Sequence, residues 1–290
     1  MNALVTGGAG FLGRQVARHL AATGFEVSIF DRMDAADPDI PTIVGDLVDA
    51  ETVRAAVEGK DVVCHIGAIG DVYLAGEQPA LASSVNVTGT ALVADAAVAT
   101  GARVVYASTW EVYGEPQYEP VDENHPTEPD HPYSITKLGG ERILISAAHL
   151  RGLSTVALRL GTAYGPGLRP NSVFRIFIDR ARRGEPITIQ GGGSQGRQFT
   201  HSSDIARAFE LAARSDVSGQ VFNTVADETV SIKQLAEMVV ERIPTELTFG
   251  EPRPGDVPSA LVSSQKIADV LGWRPQMPFD QGLRHLIDEG

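Results

Sequence analysis

Cysteine is nearly absent: the 290 residues contain one, Cys64. No intrachain disulfide can form, and the apolar neighbours Val62, Val63 and Ile66 make Cys64 a buried strand thiol rather than a reactive one. Positive charge is scarce too. Lys and Arg number 24 against 37 Asp and Glu, a formal net charge of −13. Surfaces that grip nucleic acid or anionic lipid need a basic footprint, so neither partner is expected. An anionic small ligand needs only a local cluster and stays allowed. No charged leader with a long apolar core precedes the first strand. Read residue by residue, no apolar run reaches the ~20 positions of a bilayer span. A cytoplasmic protein without a membrane segment is the expectation.

The rest of the composition is ordinary for a globular chain, with 43% hydrophobic and 21% charged residues. The first half alternates short apolar runs with helical stretches. Strands are expected at 3–6, 26–30, 42–44, 62–66, 103–107 and 154–160. Helices are expected at 10–23, 50–57, 79–99 and 133–149. Such alternation predicts a parallel sheet covered by helices on both faces. The strands lack strict polar alternation, as expected when both faces are buried. The second half is less regular. Helices are expected at 173–182, 203–213, 232–242 and 279–287, with short strands at 187–189 and 221–223. The Pro-rich segments 115–132 and 250–258 read as loops.

Thr6-Gly7-Gly8-Ala9-Gly10-Phe11-Leu12-Gly13 joins the first strand to the first helix. Glycines at 7, 10 and 13 allow a tight turn, close backbone approach to a pyrophosphate and close helix–sheet packing. The helix start offers free N–H groups to phosphates. Asp31 ends the second strand, where a carboxylate accepts from both ribose hydroxyls of an adenosine and repels a 2′-phosphate. NAD is therefore expected over NADP, although Arg32 follows. Asp46, after the third strand, suits an adenine-side position and also a helix N-cap.

Tyr133-Ser134-Ile135-Thr136-Lys137 opens a helix, and i,i+4 spacing puts phenol and ammonium on one face. A neighbouring positive charge lowers a phenol from its usual value near ~10, which suits it to proton transfer at a carbinol carbon. Ser108 and Thr109 follow the fifth strand at the carboxyl edge of the sheet, where ligands bind in such folds. The Thr109 hydroxyl is placed to orient the reacting oxygen toward Tyr133.

With these pieces in order, the chain resembles the extended short-chain dehydrogenases, within them the nucleotide-sugar epimerase/dehydratase family. The match rests on residues 6–13, Gly45-Asp46-Leu47, His65-Ile66-Gly67-Ala68, Asn86-Val87-Thr88-Gly89-Thr90, Ser108-Thr109-Trp110-Glu111-Val112-Tyr113-Gly114 and Tyr133-x-x-x-Lys137. The resemblance implies a Rossmann-like, doubly wound parallel sheet with a smaller C-terminal α/β substrate domain. Residues 1–165, with 198–225 returning, would form the first, and 166–197 with 226–290 the second. The implied NAD site comprises Gly7, Gly10, Phe11, Leu12, Gly13, Asp31, Arg32, Asp46, Leu47, Ile66, Gly67, Ala68, Asn86, Ala107, Tyr133 and Lys137, with Lys137 on the nicotinamide ribose. The implied catalytic residues are Thr109, Tyr133, Lys137 and Glu111.

On the substrate side, Arg159-Leu160-Gly161-Thr162-Ala163-Tyr164-Gly165-Pro166 is similar to a family segment carrying Asn where Thr162 stands. Gln198 replaces a usual Asp. The family's arginines at Arg197 and Arg253 bind a nucleotide diphosphate, as their planar donors suit. Ser108, Thr109, Thr162, Arg197 and Arg253 are the expected substrate contacts, and the expected substrate is a nucleotide-diphosphate sugar. The family's 4,6-dehydratases carry Asp where Trp110 stands, and that Asp protonates the leaving hydroxyl. A 4-epimerase is thus the expected activity, with decarboxylase, dehydratase or simple dehydrogenase as alternatives. Gly70 and Ala75 also replace polar residues common in the family. A homodimer through the helices at 79–99 and 133–149 is expected from the same resemblance.

Overall fold

A computed structural model describes residues 1–251 and 260–288. Its centre is a seven-stranded, wholly parallel sheet. The strands are β1 (Asn2–Thr6), β2 (Glu26–Asp31), β3 (Thr42–Val44), β4 (Val62–His65), β5 (Arg103–Thr109), β6 (Thr155–Leu160) and, late in the chain, Gln220–Thr224. Their order is β3, β2, β1, β4, β5, β6 and then 220–224. The order reverses between β1 and β4, and that switch opens a crevice at the carboxyl ends of the strands.

Both faces of the sheet are covered, which explains the unbroken apolar strands. On one face, α1 (Phe11–Ala22) packs with the late helix Ser202–Arg214 through Val16, Leu20, Ile205 and Phe209. Ile267 and Trp273, from the last part of the chain, join the same core. On the other face lie α2 (Ala50–Val57), α3 (Val72–Glu77), α4 (Pro79–Ser83), α5 (Gly89–Thr100) and α6 (Pro132–Arg151). Here Val53, Val93, Tyr106 and Leu144 form the core. Cys64 is fully buried in β4, and burial pushes its thiol up to about 12.

The later elements divide between the sheet and the far side of the crevice. They are β7 (Thr162–Tyr164), α7 (Val173–Arg182), β8 (Ile187–Gln190), β9 (Gly196–Arg197), β10 (Phe199–His201), α8 (Ser202–Arg214), β11 (Gln220–Thr224), β12 (Val230–Ser231), α9 (Ile232–Arg242), β13 (Leu247–Gly250), α10 (Gln265–Leu271) and α11 (Phe279–Asp288). Of these, α8, β11 and α10 belong to the main body. An aromatic cluster of Tyr164, Phe174, Phe199 and Phe279 holds the others together. The expected loop at 250–258 has Gly250 at the end of β13; positions 252–259 lie outside the described residues.

Two expectations are corrected. The helix expected across 79–99 forms, with one π-helical turn, Ser84–Thr88, set between α4 and α5; what is corrected is its apolar length. Read as one stretch, Pro79–Thr100 has 22 residues and a mean hydropathy of 1.3, long and apolar enough to cross a membrane by length and composition. Counting uninterrupted apolar residues hid this, because Thr88, Gly89, Thr90 and Asp95 break the run. In the fold the stretch lies along the sheet, with Val93, Ala94, Ala96 and Ala97 buried. Second, Asp46 is not the helix cap. Asp49 caps α2, accepting from Glu51 N at 3.0 Å, while Asp46 accepts from Val48 N at 3.2 Å.

Candidate active site

The glycine loop forms the floor of the crevice. Gly7 has φ +70°, and a Cβ there would lie 2.6 Å from Gly67 Cα. Thr6 Oγ1 accepts from Ile66 N at 3.1 Å and Gly67 N at 3.0 Å, which draws the two loops together. A Cβ on Gly13 would lie 2.2 Å from Gly7 O, so α1 packs directly on the turn. Gly10, the N-cap of α1, faces the crevice, and the first turn of α1 carries no acidic side chain. Free N–H groups therefore meet whatever anion lies there.

Asp31 ends β2 and lines two neighbouring cavities. Its Oδ2 accepts from Ala9 N at 3.0 Å and its Oδ1 from Met33 N at 3.2 Å. The smaller cavity, about 120 Å³, is lined by Arg32, Asp46, Leu47, Gly67 and Ala68 among others. The larger, about 530 Å³, runs past Gly7, Gly10, Phe11, Leu12, Gly13, Ile66 and Ala107 to Ser108, Thr109, Glu111, Tyr133, Lys137 and Thr162. Gly7, Asp31, Gly67 and Ala68 line both cavities, so the recess beside Asp31, the glycine cradle and the Tyr133/Lys137 group lie next to one another along the crevice.

Asn86 does not line either cavity; it sits in the π turn with its amide engaged. Its Oδ1 accepts from Ile69 N at 2.7 Å, and its Nδ2 donates to Ile69 O at 3.2 Å and Thr136 Oγ1 at 2.9 Å. Thr136 in turn donates to Tyr133 O at 2.8 Å. Asn86 therefore positions the first turn of α6. A second chain supports the same helix. The Thr6 hydroxyl meets His65 Nδ1 at 2.7 Å, His65 Nε2 meets Thr90 Oγ1 at 3.0 Å, and Thr90 donates to Asn86 O at 2.6 Å. With Thr6 accepting from two amides and Thr90 donating onward, the proton belongs on Nε2 of a neutral imidazole. Burial, and then the Lys137 charge, push His65 down to about 3, which keeps it so.

Tyr133 and Lys137 share a face of α6 as expected. The Thr109 side chain stands near enough to the Tyr133 phenol to favour its ionised form, and the Thr109 Oγ1 accepts from Glu111 N at 3.3 Å. The expected lowering of the phenol is not found. Burial, reinforced by Glu111, raises Tyr133, and this outweighs Thr109 and the Arg169 charge. Lys137 lies 4.2 Å above the Tyr106 ring, and burial pushes it down to about 7 against the pull of Glu141. Two desolvated groups side by side each favour the neutral form, so the spacing argument alone had the wrong sign.

Glu141 was missed in the sequence, although it follows Lys137 by one helical turn. It is fully buried and forms a bidentate pair with Arg159, at 2.7 Å and 3.0 Å, while accepting from Ser108 Oγ at 2.7 Å. Ser108 thus lines the cavity but directs its hydroxyl inward. Glu111 is half-buried, and desolvation raises it against the Arg197 charge.

On the substrate side, Thr162 lines the large cavity. Arg197 instead borders a small cleft with Trp110 and Gly161, and its Nη1 donates to Gly196 O at 2.7 Å. Gln198 is structural: its Nε2 donates to Ala226 O at 2.7 Å and Val262 O at 3.0 Å, and its Oε1 accepts from Val262 N at 2.7 Å. Ala75 is fully buried in α3, whereas Gly70 lies on the cavity. Arg253 lies outside the described residues.

Residues 3–224 match the model of the NAD dependent epimerase/dehydratase family. The chain belongs to that family. Within it, a UDP-glucose 4-epimerase of Mycolicibacterium smegmatis is 30% identical over 306 aligned positions, which cover 99% of this chain and 98% of the relative. A UDP-glucose 4-epimerase of Thermotoga maritima, solved with UDP-glucose, superposes with a TM-score of 0.94 at 28% identity, covering 99% and 98% of the two chains. A dTDP-glucose 4,6-dehydratase of Streptomyces venezuelae, solved with NAD bound, gives 0.92 at 26%, covering 99% and 96%. The family's cofactor fits the residues present: the glycine cradle, the uncapped start of α1 and Asp31 between the two recesses.

Proposed function

We propose that this family member is a nucleotide-sugar 4-epimerase working through a transient 4-keto sugar. When bound, NAD supplies the acceptor and later donor of a hydride, together with a positive charge beside the phenol. Gly7, Gly10 and Gly13 hold the pyrophosphate, Asp31 the adenosine ribose and Lys137 the second ribose. Tyr133 takes the proton from the sugar hydroxyl, and Thr109 fixes that oxygen. Returning the proton from Tyr133 completes a redox-neutral cycle.

The observation that carries this reading is Trp110. It sits beside Thr109 on the large cavity and packs against Val112, Tyr113 and Val225. An indole cannot protonate a leaving hydroxyl, so this chain lacks the acid that the related 4,6-dehydratases carry there. Glu111 keeps decarboxylation or another elimination as the second reading. The test is incubation with NAD and UDP-, dTDP- or GDP-sugars, with products read by mass and NMR. An isomer of equal mass and no net absorbance change at ~340 nm support the epimerase. Loss of water or CO₂ supports the second reading, and stoichiometric NADH release points to a dehydrogenase.

We also infer a homodimer through α4, α5 and α6. Arg151 of α6 already pairs with Asp95 of α5, and Ile135 and Leu150 stand exposed on α6. A monomer by light scattering at micromolar concentration overturns this.

A further inference from the structure

The Lys137 amine borders the large cavity, yet the residue is almost wholly buried. Glu141, the carboxylate one helical turn on, is committed elsewhere. Both of its oxygens face Arg159, and one also accepts from Ser108. What the ammonium meets is a ring. Lys137 Nζ stands over the face of Tyr106, 4.2 Å from its centroid.

Tyr106 lies on β5, the strand that ends at Thr109, and is fully buried. Its hydroxyl donates to Lys137 O at 3.2 Å, so the ring is tied to the turn of α6 that carries the amine. His65 of β4 packs beside it, with 5.5 Å between ring centroids. Gly140 leaves the hydroxyl its room: a Cβ there would lie 2.6 Å from Tyr106 Oη and 2.9 Å from Asn86 O. One side chain thus meets Lys137 twice, at the main chain through its hydroxyl and at the ammonium through its face.

An aromatic face attracts a desolvated cation without taking a hydrogen from it. The three N–H donors of the ammonium stay available for ribose hydroxyls and the reacting group. A carboxylate in the same place would hold the charge and occupy those donors.

We propose that Tyr106 is a positioning residue for the proton-transfer pair: its ring face keeps Lys137 a cation while leaving its donors free for the cofactor and Tyr133. The other groups around the amine do not replace it. Glu141 on α6 favours the ammonium but is shared with Arg159 of β6. His65 on β4 is neutral, Tyr133 lies one turn before on the same helix, and Glu111 acts on Tyr133. Burial works against the charge and brings the amine down to about 7, so a modest loss at the ring changes its state at neutral pH. This inference rests on Tyr133 and Lys137 carrying the proton transfer, and not on which nucleotide sugar is turned over.

The chain has four lysines, Lys60, Lys137, Lys233 and Lys266, so the amine can be followed by NMR of protein labelled at the lysine ε-carbon. Lys137→Arg identifies its signal. Tyr106→Phe keeps the face and sets the baseline. Phenylalanines carrying successive fluorines are then placed at position 106, which drains the face of electron density while nearly keeping its shape. The Lys137 midpoint should fall with each fluorine, by about one pH unit in all, and Tyr106→Leu should give a similar fall. Turnover of an accepted nucleotide sugar should then drop about tenfold at pH 8 and recover toward the baseline at pH 6, where acid restores the ammonium. Thermal unfolding checks each variant, and the fluorinated series carries the test if Tyr106→Leu is not folded. A midpoint that ignores fluorination overturns the proposal. So does a deficit of the same size at both pH values, which marks a packing residue only. If no nucleotide sugar turns over, the epimerase reading fails by itself, and the NMR titration still decides this one.

Discussion

The two walls of the crevice are built differently. The cofactor wall is mostly backbone: Gly7 against Gly67, Gly13 against Gly7, and the open first turn of α1. The substrate wall is mostly side chains: Thr162, Arg169, Asn171, Trp110 and Glu111. A backbone wall constrains residue type tightly, because an added Cβ meets backbone atoms that cannot move. A side-chain wall tolerates exchange, and each exchange changes what the site accepts. The cofactor is therefore common to the family, while the substrate differs between members.

That contrast can be broken first at the group between the walls. Tyr133→Phe removes the proton acceptor without touching the glycine cradle. Turnover should fall roughly 10³-fold, while NAD affinity by calorimetry stays within a few-fold. Joint loss of both would mean that the two walls are one cooperative unit. Next is the buried pair under the site. Glu141→Gln leaves Arg159 without its counter-charge, which should cost about 3–5 kcal/mol in denaturant unfolding. A loss below ~1 kcal/mol would mean that the pair is not desolvated as its burial indicates.

A smaller effect tests the electrostatics. Unfolded, the Lys137 amine holds its proton to about 10.5; folded, only to about 7. Between these values the unfolded chain binds more protons, so stability from this group rises with pH. Cys64, raised from 9.0 to about 12, contributes the opposite slope above pH 9. From pH 7 to 9, the wild type without cofactor should therefore gain up to about 1 kcal/mol per pH unit relative to Lys137→Met. Parallel melting curves for the two proteins would contradict this. The smallest effect lies furthest from the chemistry. Gln198→Ala removes three hydrogen bonds that tie β10 to the segments at 226 and 262. It should cost about 1–3 kcal/mol in unfolding and leave NAD affinity unchanged.

The same contrast decided what could be read from the residues. The six early strands, the glycine turn, Asp31 and the Tyr133/Lys137 face follow from local pattern, because periodicity and glycine spacing are local signals. Asn86, Glu141 and Tyr106 do not. Their roles depend on partners far along the chain, namely Ile69 and Thr136, Arg159, and Lys137. The direction of the Tyr133 shift was missed for the same reason. Helical spacing shows who stands beside whom, whereas desolvation depends on everything packed around both. Short strands such as β9 and β12 escaped because two residues carry no periodicity.

The π turn at Ser84–Thr88 gives the stretch from Pro79 to Thr100 two phases. A π turn holds one residue more than an α turn. Deleting a single residue there would close the bulge into an ordinary α turn and remove the place that Asn86 occupies. Asn86 would turn away from Ile69 and Thr136, and the first turn of α6 would lose its clamp. One apparently redundant amino acid in an alanine-rich helix thus helps to hold the first turn of α6, with Tyr133 on it, in place.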